Sequence, residues 1–404
     1  MSNDPASTPD APGFGRRAFA PLLLAALLPA GGSAQPAPAP IGAAVGALGD
    51  ALLRGAALLP RPAGHVFSPF NLHATLGLLA LGARGRTATE FATLLGARGG
   101  ADRLAALLAR GRAAVTDAGP GITQGYAAWA SRRRRFEDEW RDLARQALAP
   151  RVGRLDFAAP GAVPTVNDWA SRATRGEIPV IVDRLPAEAE LVLAGAIHFA
   201  GTWQTPFPAG DTAPAPFRRL DGTAADVPMM RATMTVGYGA AGLGHAVRLP
   251  YRGGRLALWL AAAKRPEDSG AFLSSLADGG TTTWLRALAM RQSRTQVSMP
   301  RLSLSAGGET LPLLRQAGFG RVLDGDFSGI LGRSIRPSEI LHRARIRIDE
   351  KGTVAAAATA VVATRSLQEV EEFTADRPCV FVLGLAEPWL PLFMGYVGDA
   401  TALA

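Results

Sequence analysis

The sequence predicts an α+β fold built as one large domain, and three observations predict it. Apolar residues recur at helical spacing through the first half of the body, and strand-length apolar segments divided by Gly, Pro and Asp fill the second half. No internal repeat or linker interrupts the chain after residue 40. The length of 404 residues would otherwise suggest two or three domains at roughly 150 residues each. With 48% hydrophobic and 19% charged residues, and 46 Gly and 30 Pro without a period, disordered and fibrous classes are excluded.

The first segment reads as an address. A polar start leads to Arg16-Arg17, an apolar stretch from Ala18 to Leu28, and the small residues Gly32-Ser33-Ala34. That order is an export signal over residues 1–34, cleaved after Ala34. The twin arginines with Phe19 resemble the twin-arginine pathway; an ordinary secretory signal is the alternative. A proline- and alanine-rich spacer over 35–44 follows, and the folded domain spans 45–404. The expected location is outside a bacterial cytoplasm, periplasmic or secreted. No apolar run reaches the roughly 18 residues of a membrane span.

Helical spacing marks Ile41–Leu59, Leu72–Leu81, Ala88–Leu95, Ala101–Val115 and Phe136–Ala147, with Asn71 and Thr87 where caps would sit. From Leu191 the pattern changes: LVLAGAIHFAG is a continuous apolar run, as for a strand buried on both faces. Strand-length segments follow at Ala246–Leu249, Leu256–Ala262, Thr295–Ser298, Ile346–Ile348, Val380–Gly384 and Phe393–Val397.

Most motifs have bland readings. Cys379 is the single cysteine, and His65, His73, His198, His245 and His342 are scattered without metal-ligand spacing, so neither a metal nor a cofactor is expected. Gly237 to Gly242 fits GxGxxG, but a strand follows where a helix should open, so a hairpin turn is expected instead of a dinucleotide site. No GxSxG occurs, and Ser328 lacks a strained elbow to serve with His342, so no catalytic role is expected. Arg132, Arg133, Arg134 and Arg135 form the densest basic run in a chain of net charge +9. A solvated turn is the first reading of that run, and weak polyanion contact the second.

Ile348 to Arg377 is different. After Asp349-Glu350-Lys351-Gly352 come twelve residues, Thr353 to Thr364, all small or β-branched and uncharged. Thr359, Val361 and Val362 favour strand, while the polar surroundings favour a surface loop. A segment that is loop in one state and interior strand in another would look like this.

At these residues the chain resembles the serpin family. The landmarks run in register over 45–400: FSPFNLHATLGLLALGARGRTATE (67–90), VNDWASRATRGEI (166–178), LVLAGAIHFAGTWQTPF (191–207), Thr212 to Met230, LPYRGG (249–254), LHRARIRIDEKGT (341–353), RPCVFVL (377–383) and PLFMGYV (391–397). The resemblance implies three β-sheets with eight or nine helices, an exposed reactive-centre loop over about 351–376, and a monomer that acts on a serine protease without being an enzyme. In that mode the protease cleaves the loop, an acyl-enzyme forms, and the loop inserts into the central sheet. A non-inhibitory binding or chaperone role is the alternative.

The implied hinge is Glu350, Gly352, Thr353, Ala355, Ala356, Ala357, Ala358 and Thr359, with Thr353 exposed before cleavage. A charge there would have to be buried without a partner on insertion. The implied sheet-opening region is Ser68, Asn71, Trp203, Arg301 and His342, with Glu350 and Arg301 as a pair. Relatives usually carry Asn where Gly195 stands, Ser where Asn71 stands and Phe where Cys379 stands. For the scissile bond, family spacing gives Ser366–Leu367. Chemistry favours Arg365–Ser366, because an arginine fills a specificity pocket with a buried carboxylate and a serine does not. The run Arg365-Ser366-Leu367 also resembles the reactive centre of antithrombin.

Overall fold

A computed structural model describes residues 41–57, 64–119, 121–353 and 370–400. In chain order its elements are α1 (Ile41–Ala57), β1 (Gly64–Phe67), α2 (Pro69–Leu81), α3 (Gly85–Leu94), α4 (Ala101–Asp117), β2 (Ile122–Ser131), α5 (Asp138–Ala147), β3 (Arg151–Leu155) and α6 (Ala162–Ala173). Next come β4 (Leu191–Phe199), β5 (Gly201–Thr202), β6 (Ala213–Arg218), β7 (Ala224–Ala241), β8 (Gly244–Pro250), β9 (Leu256–Ala263), α7 (Ser269–Gly279), α8 (Thr281–Ala287), β10 (Arg291–Pro300) and β11 (Leu302–Glu309). After short helical turns within 311–323 and 328–331 the chain forms β12 (Glu339–Ile348), β13 (Gly352–Thr353), β14 (Glu371–Thr374), β15 (Cys379–Leu385) and β16 (Leu390–Val397).

The α+β expectation holds, and the strands make three sheets. A five-stranded sheet runs β11-β12-β4-β2-β3. A two-stranded sheet pairs β13 with β5, and a nine-stranded sheet is built around the 18-residue β7: its first part pairs with β6 and its second with β8, and β10 lies along its middle. From β8 that assembly continues through β9, β15, β16 and β1, and β14 edges β10 in parallel. All nine residues of β4 are buried, as its unbroken apolar run requires. Val192, Ala194 and Ala196 pack with Val166, Trp169 and Ala170 of α6 on one face. Leu191 and Leu193 join the larger core of α2 on the other. All of α2 is buried too, so no face of it is given to solvent.

Local sequence signals agree with the structure better in the strands than at the helix caps. The expected strand segments lie inside observed strands, except that the run from Leu191 to Gly201 breaks at Ala200, between β4 and β5. Gly242, at φ 56°, turns the β7–β8 hairpin, so the GxGxxG run is a turn. The caps need correction. Helix α2 starts at Ser68, whose Oγ accepts from the Asn71 N–H at 3.0 Å, with Pro69 in the first turn. Thr87 lies inside α3, and its hydroxyl accepts from the Asp326 N–H at 2.9 Å. No expected strand segment covers β1, β2, β3, β6, β7, β11 or β14.

Candidate functional site

The five-stranded sheet has a parallel seam at its centre. Strands β4 and β12 pair residue for residue from Val192 with Glu339 to His198 with Arg345. A segment that leaves β12 through a tight turn and runs back beside it would be antiparallel to both neighbours. Insertion there would exchange one parallel ladder for two antiparallel ones, the slightly stronger pairing.

Such a turn is present. The Asp349 and Gly352 N–H groups donate to each other's carbonyls at 2.8 and 3.2 Å, and the chain enters β13 antiparallel to β5. Gly352 adopts φ 141°, and a Cβ there would stand 2.1 Å from the Gly201 carbonyl oxygen. Glycine is therefore required for β13 to lie against β5.

Glu350 fixes the turn from the side. Its carboxylate accepts from Arg301 Nε at 2.8 Å and Thr212 Oγ1 at 2.6 Å. Burial alone would raise the carboxyl, but these bonds outweigh it and hold the group below its usual range. The Glu350–Arg301 pair expected from the sequence is in place, and Thr212 is a partner the sequence did not reveal.

Beneath the turn lies an aromatic floor. The Trp203 indole N–H donates to the Asp349 carbonyl at 2.9 Å, and its ring stacks on Tyr251 at 4.4 Å. The Tyr251 hydroxyl lies 2.8 Å from Thr353 Oγ1, with both groups buried. Thr353 is 0% exposed, which corrects the expectation that it is exposed before cleavage. Its N–H and C=O belong to a ladder, its hydroxyl has a buried partner, and Gly352 brings it in.

Lower on the seam, Ser68, Asn71 and His342 form one buried cluster. The Ser68 N–H donates to His342 Nε2 at 3.0 Å, so the other ring nitrogen, 3.1 Å from Asn71 Oδ1, carries the proton. The remaining hinge and reactive-centre positions, Ala355, Ala356, Ala357, Ala358, Thr359, Arg365, Ser366 and Leu367, lie outside the described residues.

A family model described as Serpin (serine protease inhibitor) matches residues 48–400. The chain belongs to the serpin family. It is 32% identical over 363 residues to a putative serpin-Z12 of Oryza sativa subsp. japonica, covering 83% of this chain and 85% of that protein. It is 29% identical over 357 residues to leukocyte elastase inhibitor A of Rattus norvegicus, covering 83% and 93%. The native stressed conformation of Arabidopsis AtSerpin1 superposes with a TM-score of 0.79 at 21% identity, over 89% of this chain and 98% of that one. That likeness is one of fold.

In this serpin the seam described above is closed, with β4 and β12 in direct contact. Ser328 and His342 are not partners: the Ser328 N–H binds the Asp326 side chain, and His342 serves Ser68 and Asn71. In the basic run Arg134 pairs with Glu190 at 2.5 Å, while Arg132, Arg133 and Arg135 are exposed. No helix among the described residues is long and apolar enough to cross a membrane.

Burial of histidine should make this serpin sensitive to acid. Burial pushes His342 down to about 3, and His73 and His245 to about 4. These rings are neutral in the fold but titrate near 6.5 when unfolded. Their contribution is therefore complete above pH 6.5 and is lost as pH falls towards 4 and 3. Each contributes a slope of about 1.4 kcal/mol per pH unit over that window. Thermal melts at pH 7.5 and pH 5 should show a clear drop in midpoint; equal midpoints would mean that the rings are not held neutral.

Proposed function

We propose that this serpin is an irreversible suicide-substrate inhibitor of a trypsin-like serine protease. The observation that carries the reading is the closed parallel seam, with β12 leading through a glycine turn into an uncharged, small-residue segment. The protease serine attacks the Arg365 carbonyl, the bond to Ser366 breaks, and Arg365 is left as an ester on the enzyme. The freed strand enters between β4 and β12 before water can complete hydrolysis. A relative whose printed name is an elastase inhibitor supports the inhibitory mode. Arg365 supports the trypsin-like target, since its guanidinium pairs with a buried pocket carboxylate.

In this reading one monomer meets one protease outside the cytoplasm, after export directed by residues 1–34. The exposed Arg132, Arg133 and Arg135 offer weak contact to a polyanion.

The test is incubation with trypsin-like and elastase-like proteases, followed by denaturing gels and mass spectrometry. A complex that survives boiling, with a released fragment starting at Ser366, is the expected result. Arg365→Ala should lower inhibition of the trypsin-like enzyme by at least about a hundredfold, as expected for loss of a buried charge pair at the specificity pocket. A fragment starting at Leu367 would move the bond to Ser366–Leu367 and the target to an elastase-like enzyme. Clean cleavage with no complex would assign the chain to the non-inhibitory binding class.

A further inference from the structure

One side chain touches both strands of the seam. Asn71 is fully buried on α2, where its N–H is capped by Ser68 and its carbonyl accepts from Thr75 Oγ1 at 2.8 Å. Because His342 Nε2 is occupied by the Ser68 N–H, Nδ1 donates to Asn71 Oδ1 at 3.1 Å, which ties the helix to β12. The other end of the same carboxamide, Nδ2, donates to the Ala196 carbonyl on β4 at 3.4 Å. The Tyr126 hydroxyl of β2 donates to Gln124 Oε1 at 2.9 Å.

The strand opposite is shaped to admit this group. Gly195 is the register partner of His342. A Cβ on it would stand 2.2 Å from Asn71 Oδ1 and 2.3 Å from Thr75 Oγ1. The space under the seam thus holds one carboxamide, and here the helix supplies it.

We infer that Asn71 is the positioning residue that holds the seam shut, and that Gly195 is the space it needs. The consequence follows from where the group is mounted. A carboxamide carried by β4 would travel with that strand when the seam opens. Mounted on α2, it stays behind, so β12 must give up the Asn71–His342 bond or β4 the Asn71–Ala196 bond. Either loss strands a buried polar group until an incoming strand passes. Asn71 thereby sets how readily the seam admits a strand. The inference rests on the proposal that β4 and β12 part, but not on any protease.

Hydrogen exchange of the intact protein, read peptide by peptide, tests it without a protease. In Asn71→Ser the amides of 192–198 and 339–345 should exchange at least tenfold faster, while the β9–β15 ladder stays within about twofold of wild type. Gly195→Asn alone should be the poorest folder, because its side chain meets Asn71. The double variant Asn71→Ser/Gly195→Asn moves the carboxamide to the strand and should fold better than Gly195→Asn, with slower seam exchange than Asn71→Ser. Unchanged seam exchange in Asn71→Ser would overturn the inference, as would equal acceleration in both ladders. If Asn71→Ser does not fold, the double variant still decides: no recovery over Gly195→Asn overturns it. Yield of the boiled complex, measured on the same wild-type preparation, separates the two readings. Seam exchange as expected with no complex removes the inhibitory proposal and leaves Asn71 in its role.

Discussion

Cleavage at Arg365–Ser366 should raise the unfolding midpoint by about 20 °C. The uncleaved chain has only one parallel ladder at its centre, from Val192 and Glu339 to His198 and Arg345. Once the bond is cut, Thr353 to Thr364 can run back along β12. Its backbone then pairs on both sides, and alternate small side chains, Thr353, Ala355, Ala357, Thr359 and Val361, face the interior. For a domain of this size roughly 2 °C accompanies each kcal/mol, so about 10 kcal/mol of insertion energy accounts for the shift. Scanning calorimetry of the protein before and after limited proteolysis, with cleavage verified by mass, reads it directly. An unchanged midpoint after verified cleavage would mean that the strand does not insert, and the inhibitory mechanism would fail with it.

What the sequence revealed of this seam, and what it hid, follows from how local each signal is. β4 was legible because burial on both faces leaves an unbroken apolar run that needs no context. Glu350 and Arg301 were legible through the family resemblance, and their ion pair is present. β2 was not legible: ITQGYAAWAS holds three Ala and one Gly, and its strand state is set by lying between β4 and β3. The start of α2 is signalled by Ser68 before Pro69, whereas Asn71, another good capping type three residues on, has its side chain turned to the seam. Tyr251 and Thr212 were missed because nothing local in LPYRGG or around Thr212 shows that their hydroxyls end at Thr353 and Glu350. The burial of Thr353 is hidden for the same reason. Its polar neighbours suggested solvent, whereas its burial depends on Gly352 at φ 141° and a tyrosine 102 positions away.

That burial changes what Thr353→Arg should do. In the closed protein the substitution removes the hydroxyl that Tyr251 faces and places a guanidinium where Trp203 and Tyr251 are stacked. β13 should detach from β5, and the uncleaved midpoint should fall by about 2–6 °C, for a loss of about 1–3 kcal/mol. After cleavage the cost recurs, because residue 353 is the first that must face the sheet interior, where an unpaired charge is far more costly than a hydroxyl. Insertion should stall at its first step and deacylation should win. The number of inhibitor molecules consumed per protease trapped should therefore rise at least about tenfold, since a barrier increase of about 1.4 kcal/mol already shifts the partition that far. Thr353→Ser keeps the hydroxyl and should behave as wild type in both measurements. Thr353→Val keeps the volume without the hydroxyl, and should lower the uncleaved midpoint slightly while leaving the trapping ratio intact. Titration of active protease against each variant, alongside thermal melts of the uncleaved forms, separates the two effects. If Thr353→Arg traps protease at the wild-type ratio, residue 353 does not enter the sheet interior and the hinge must be placed elsewhere.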